Sequence, residues 1–334
     1  MTKVAVIGAG SWGTALAVHL AGVGHHVRLW IREPDVYAAM IDRRVNVTFL
    51  PDVVLPDGVQ PCAAFEDALA DVELVVCAVP SHGTRSVLRA AAPCVSATAT
   101  IVSATKGLEP MTLMRMSEVI AEELGDTRPI VVLSGPSFAL EVARGLPTAV
   151  SVACSDLRAA EKVQAEFRAR YFRLYATSDV VGVELGAALK NVIAIAAGVV
   201  EGLGLGHNAL AALITRGLAE ISRLAVAAGG RRETLAGLTG LGDLILTCTG
   251  SLSRNRWVGI ELGRGRTLED ILAGTHMIAE GVNTTDAALA LGARHGVELP
   301  IAAQMAEVLA GRRDPRTAVE ELMLRPQRIE ADAG

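Results

Sequence analysis

Aromatic side chains are scarce in this chain. Phe, Trp and Tyr together make up 3% of its 334 residues. With half of the residues apolar, the core must be built from Ala, Val, Leu and Gly, a composition that suits tightly packed helices and a parallel sheet. No run of basic residues occurs and the net charge is −5, which argues against a nucleic-acid partner. The five cysteines (Cys62, Cys77, Cys94, Cys154, Cys248) are scattered and form no CxxC, so neither a disulfide framework nor a zinc site is expected. The seven histidines form no HxxxH or HxH cluster, and no metal is expected. His276, four residues before Glu280, reads as a helix pair or loop contact rather than a ligand pair. Long apolar runs are missing too. The longest strongly apolar helical stretch, Val192 to Val200, lies between Lys190 and Glu201 and is too short to span a bilayer. Met1-Thr2-Lys3 leads directly into a strand-like run, without the pattern of a secretory leader. The expectation is a cytoplasmic protein with no membrane insertion.

What is present falls into two halves. In the first, apolar β-rich runs (Val4–Ile7, Val27–Trp30, Leu74–Ala78, Thr100–Ser103, Ile130–Leu133, Thr148–Ala153, Phe172–Tyr175) are separated in several places by helical segments such as Trp12–Ala21, Thr84–Ala92, Leu113–Leu124 and Leu157–Arg168. Continuously apolar strands alternating with helices predict a parallel sheet covered on both faces, a doubly wound α/β domain of the Rossmann type. After about Ser178 the strand signal ends and Ala/Leu/Gly-rich helical patterns take over, from Val183–Val200 to Asn283–His295. The expected division is a dinucleotide-binding domain over 1–180 and an all-α substrate domain over 181–334.

The first strand runs into "GAGSWG". In a dinucleotide-binding turn, Gly8 allows the tight exit from the strand, Gly10 admits a pyrophosphate close to the backbone, and Gly13 packs the helix on the strand. A glycine-rich structural turn and a methyltransferase-type nucleotide site are the alternatives. Near the tip of the second strand, "HVRLWIRE", an acid would bind the ribose 2′-hydroxyl of NAD. Ile31 occupies the acid position. Arg32 follows and suits the 2′-phosphate of NADP, or is simply a solvated loop arginine. Glu33 keeps NAD open.

Lys190 is the anomaly of the second half. Its neighbours three and four residues away are Gly186, Ala187, Ile193 and Ala194, none of them acidic. Desolvation among small apolar residues would lower its pKa and suit a general acid or base; the bland alternative is a lysine that snorkels near a helix end. Other stretches offer partners: Lys106 in "SATKGLE", Gly135 and Ser137 in "LSGPSFALE", Asp243 with Thr247 one turn on, then Ser253, Arg254 and Asn255. Singly, Asp243 reads as a helix cap and Ser-Arg-Asn as a polar loop. Together they assemble two lysines, an arginine, an aspartate and hydroxyl or amide donors, chemistry suited to a small phosphorylated carbonyl compound.

The segments "GAGSWGTALA", "SATKGLE", "GPSFALEVARG", "ELGAALKNVIAIAAG" and "GLTGLGDLILTCTGSLSRNR" resemble the bacterial glycerol-3-phosphate dehydrogenases, from Gly8 to about Glu280. The resemblance implies a cytosolic, usually dimeric enzyme. It would interconvert dihydroxyacetone phosphate and sn-glycerol 3-phosphate with NAD or NADP, for phospholipid synthesis. It implies Lys190 as proton donor and acceptor, Lys106 touching cofactor and substrate, and Asp243 tuning Lys190 or binding a substrate hydroxyl. Gly135, Ser137, Asp243, Ser253, Arg254 and Asn255 would line the substrate site. Ser11, Trp12, Arg32, Ala139, Arg254, Ile278 and Glu280 would contact the cofactor, which gives Trp12 a place in the cofactor loop. Ser137 stands where relatives often carry threonine and keeps the hydroxyl. A β-hydroxyacid dehydrogenase of the same plan and a non-catalytic dinucleotide-binding regulator are the rival readings; the first does not need the Ser-Arg-Asn phosphate pocket, and the second leaves Lys190 and Asp243 without a purpose.

Overall fold

The computed structural model describes residues 1–125, 128–274 and 279–327. The chain divides into two compact units, one of residues 1–105 and 116–180, the other of 106–115 and 181 onward.

Among the described residues the first unit holds ten strands: β1 (Lys3–Ile7), β2 (His26–Trp30), β3 (Val45–Asn46), β4 (Leu50–Val54), β5 (Val59–Cys62), β6 (Leu74–Cys77), β7 (Thr100–Ser103), β8 (Ile130–Ser134), β9 (Thr148–Ala153) and β10 (Phe172–Thr177). Eight form one sheet in the order β10-β9-β8-β7-β6-β1-β2-β5, and β3 and β4 form a separate hairpin. Alternate residues enter two apolar clusters on opposite faces. Val4, Val6, Val76 and Val102 go to one, and Ala5, Ile7, Val75 and Ile101 to the other. That is why these strands are apolar throughout. The expectation of a wholly parallel sheet needs one correction: β8 and β9 pair antiparallel, with Leu133 opposite Val152. Strand direction leaves no mark on a run that is buried on both faces. The chain order reverses at β1, which lies between β2 and β6. The crevice for a ligand therefore opens beyond the ends of β1 and β6.

The second unit is helical and has Val180–Gly202, of 23 residues, as its central element. Every residue from Gly182 to Val200 is buried. The expected limit on apolar helix length is corrected here, since this helix is long and apolar enough to cross a membrane by length and composition. It is instead a core helix, hydrophobic around its whole circumference because other helices surround it. Helix Arg254–Gly263 crosses it at backbone contact. A Cβ on Gly198 would lie 2.0 Å from the Arg256 carbonyl oxygen, and one on Gly259 would lie 1.9 Å from that of Ile195. This approach brings Asn255 to Asn191, next to Lys190.

Candidate active site

Lys190 finds its acid 53 residues away. Its Nζ donates to Asp243 Oδ1 at 2.5 Å and to Thr247 Oγ1 at 2.8 Å. Lys106 Nζ donates to the other oxygen, Asp243 Oδ2, at 2.8 Å. The Thr247 hydroxyl in turn donates to the Asp243 carbonyl at 2.6 Å. Lys190 is 5% exposed and Asp243 1% exposed, which removes the snorkelling alternative. Asp243 opens helix Asp243–Thr249, directly after a π-helical turn at Leu238–Gly242. Gly242 is the residue at the cap position, so Asp243 does not serve as the cap. Burial lowers the Lys190 pKa and the Lys106 charge lowers it further; Asp243 opposes both, and the balance lies at about 7. Two lysines on one aspartate leave the buried cluster with net positive charge, a setting for an anionic ligand.

The next polar layer is also paired. Asn255 Nδ2 donates to Asn191 Oδ1 at 3.0 Å, and Asn255 Oδ1 accepts from the Gly281 amide at 2.9 Å. Ser253 caps helix Arg254–Gly263, its Oγ accepting from Arg256 N at 3.2 Å. The Ser-Arg-Asn run is therefore a helix start. Arg254 is half-buried, and desolvation lowers its pKa. Glu280 begins helix Glu280–Arg294. Ile278 and His276 lie outside the described residues.

In the first unit, Gly8 leaves β1 at φ +109, and a Cβ there would lie 2.8 Å from the Ala78 carbonyl oxygen. A Cβ on Gly13 would lie 1.9 Å from the Gly8 carbonyl oxygen, whereas one on Gly10 would meet nothing within 4 Å. So Gly8 and Gly13 are required by the fold, and Gly10 leaves open space at the start of helix Ser11–Gly22, whose amides and dipole favour an anion. Trp12 Nε1 is buried with no hydrogen-bond partner among the described residues. An open cradle and a waiting donor at a helix N-terminus fit a dinucleotide pyrophosphate. Ile31 is 2% exposed and turned into the core, leaving Arg32 as the side chain at the tip. Arg32 Nη2 lies 2.7 Å from Glu33 Oε1. Gly135 follows β8 at φ +142, Ser137 Oγ donates to its carbonyl at 2.9 Å, and Ala139 opens helix Ala139–Ala143.

Comparison with known proteins decides the family. A model for the NAD-dependent glycerol-3-phosphate dehydrogenase N-terminus matches residues 3–160, and one for the C-terminus matches residues 179–320. The chain belongs to the NAD-dependent glycerol-3-phosphate dehydrogenase family. It is 54% identical to the glycerol-3-phosphate dehydrogenase [NAD(P)+] of Koribacter versatilis, over 99% of both chains. To that of Geobacter sp. strain M21 it is 52% identical over 98% of both. The crystal structure of glycerol-3-phosphate dehydrogenase from Coxiella burnetii superposes with a TM-score of 0.93 at 42% identity, covering 97% of this chain and 99% of that one.

Three contacts of this dehydrogenase chain went unread in its sequence. Asn191 holds Asn255. Asn46, fully buried in the β3–β4 hairpin, donates to the Ala9 carbonyl and to Thr14 Oγ1, both at 2.8 Å, and so braces the glycine turn. Arg115 pairs with Glu184 at 2.7 Å. The polar residue inside the Ala-rich helix was the available signal for Asn191. For the other two, no spacing gives the partner.

Proposed function

We propose that this member of the family reduces dihydroxyacetone phosphate to sn-glycerol 3-phosphate, reversibly, with protonated Lys190 as the acid. The observation that carries the reading is Asp243 bridging Lys190 and Lys106 inside a buried cluster of net positive charge. A nicotinamide held by the dinucleotide unit would supply the hydride. Lys190 Nζ donates a proton to the alkoxide forming at C2 and stabilises its charge; in the oxidative direction the neutral amine takes that proton back. A pKa near 7 lets one residue serve both directions at neutral pH. Asp243 holds Lys190 in place and keeps its amine from being neutralised entirely by burial. This favours tuning of Lys190 over direct contact with a substrate hydroxyl.

Lys106 polarises the carbonyl region. Arg254, with its forked donors, and Asn255 hold the phosphate, with Ser253, Gly135 and Ser137 completing the substrate shell. Residues 1–180, apart from the segment 106–115 that groups with the helical unit, serve as the dinucleotide domain, and 181–334 serve as the substrate domain. Gly8, Gly10, Gly13, Ser11 and Trp12 hold the pyrophosphate end. Arg32 meets a 2′-phosphate, so NADPH is accepted and preferred, with NADH also used; Ala139, Arg254, Lys106, Ile278 and Glu280 complete the cofactor contacts. The enzyme acts in the cytoplasm as a homodimer and supplies glycerophospholipid synthesis. The test is a spectrophotometric assay with dihydroxyacetone phosphate and NADPH, then NADH, with unphosphorylated dihydroxyacetone as control. Oxidation of either cofactor only with the phosphorylated ketone supports the reading. Equal efficiency on both ketones would refute the phosphate pocket.

A further inference from the structure

Lys106 belongs to a ten-residue segment, 106–115, that groups with the helical unit although both flanking stretches belong to the sheet unit. The segment is a closed strap. Leu108 and Arg115 pair as an antiparallel bridge across it. Within it the Glu109 amide donates to the Met114 carbonyl and the Leu113 amide to the Glu109 carbonyl, both at 2.9 Å. Leu113 turns the chain with φ +64, in the left-handed region. Leu108 is 1% exposed and lies in the helical core. An ion pair stands at each end of the strap. Lys106 Nζ lies 2.8 Å from Asp243 Oδ2, and Arg115 Nη1 lies 2.7 Å from Glu184 Oε2. Both carboxylates are buried, the Glu184 side chain being 3% exposed. Glu184 stands on the same helix as Lys190, six residues before it.

Buried ion pairs cost desolvation that apolar packing avoids, so stability alone is a poor account of two of them on one short loop. What they supply here is a fixed place for the Lys106 ammonium. We propose that Arg115 and Glu184 are positioning residues of the reaction, their buried ion pair locking the strap so that Lys106 stays on Asp243 beside Lys190. The proposal rests on the reading of Lys190 as the proton donor. Its consequence follows from the groups around Lys190: the Asp243 carboxylate, the Lys106 ammonium, the Thr247 hydroxyl, and the Cys248 thiol, which burial pushes up to about 12 and keeps neutral. Lys106 is the cation among them. With the strap loosened, Lys106 leaves, Asp243 serves Lys190 alone, and the Lys190 pKa rises. Reduction needs protonated Lys190 and fails as pH rises through that pKa; oxidation needs the neutral amine and sets in through it. Both inflections therefore move to higher pH.

The test is Glu184→Gln, which keeps shape and removes charge, read in two ways. The inflection in kcat/KM against pH should move upward by about one pH unit, the scale of a lost neighbouring like charge. Hydrogen exchange across residues 107–115 should speed up. Arg115→Gln breaks the same pair from its other side and should do the same; if only one of the two variants folds, that one decides. Glu184→Asp, which restores the charge, should give a smaller shift. In a Lys106→Met background, Glu184→Gln should move the inflection no further. Lower turnover with parental inflection and parental strap exchange would overturn the proposal, as would an equal shift in the Lys106→Met background. A failure of the proton-donor reading is distinguishable: Lys190→Ala then keeps near-normal turnover, while strap exchange still reports on Glu184.

Discussion

At the Gly8–Gly13 turn the chain prepares a site by leaving side chains out; around Asp243 it prepares one by burying charges. The turn consists of backbone pressed on backbone, with open space beyond Gly10 and a Trp12 N–H that meets no acceptor among the described residues. The cluster has an ammonium on each oxygen of one carboxylate. The difference suits what each is proposed to bind. A pyrophosphate already carries full charge and needs donors and room. A ketone gains charge only as it reacts, and it needs a proton source whose charge was arranged beforehand.

The comparison is broken most severely at the charged end. Lys190→Ala should lower kcat on the order of 10²-fold or more, with cofactor affinity near parental because the glycine turn is intact. Steady-state kinetics and a cofactor titration check both halves of that statement.

Glu220 sharpens the contrast, because it is a buried charge outside the cluster. Its Oε1 accepts from the Ile301 amide at 2.7 Å and its Oε2 has no partner among the described residues. Burial pushes its pKa up to about 7, outweighing the Ile301 and Ala302 amides and the charges of Arg223 and Arg325. With the folded pKa raised, its contribution to stability is full below the unfolded value of 4.5 and is lost as pH rises through 7. Glu220→Gln should therefore stabilise the protein at pH 8 by about 2–3 kcal/mol and have little effect at pH 5. Denaturant unfolding at the two pH values measures this.

At the backbone-built end, two alanines should separate fold from function. Gly13→Ala drives a methyl into the Gly8 carbonyl and should cost about 1–3 kcal/mol of stability. Gly10→Ala points into open space, so stability should hold while cofactor binding weakens on the order of tenfold, ~1.4 kcal/mol. Thermal unfolding with and without NADPH separates the two. The smallest effect belongs to Arg32→Ala. It should lower kcat/KM for NADPH about threefold, ~0.7 kcal/mol, since the side chain is exposed and already shares its charge with Glu33. Efficiency with NADH should stay near parental.

The two sites also differ in how far they can be read in sequence. A strand running into three spaced glycines specifies its own local geometry, and the turn falls where the spacing put it. Strand–helix alternation likewise gave seven strands of the sheet and the helical unit, though not the edge strand β5, the antiparallel step at β9 or the β3–β4 hairpin, whose short strands carry no clear periodicity. Lys190 was visible as an oddity, a cation among small apolar residues. Its acid was named only through the family resemblance, with Asp243 either tuning Lys190 or binding substrate, because a contact across 53 residues is set by helix packing and leaves no trace in local spacing. Glu184 with Arg115 and Asn46 with the Ala9 carbonyl leave no such trace either. The helical pattern over Val183–Val200 was legible, but the apolar length of helix Val180–Gly202 was hidden by its own charges. Lys190 and Glu184 interrupt the apolar run, yet each is paired inside the core.

The central claim, that the buried Lys190 ammonium supplies the proton at a pKa brought down to about 7, is tested most directly by the pH dependence of kcat/KM in both directions on the parent enzyme. Reduction of dihydroxyacetone phosphate should fall, and oxidation of sn-glycerol 3-phosphate should rise, through one shared inflection near pH 7, and the residual activity of Lys190→Ala should lack it. Profiles flat from pH 6 to 9, or an inflection that survives in Lys190→Ala, would contradict the account.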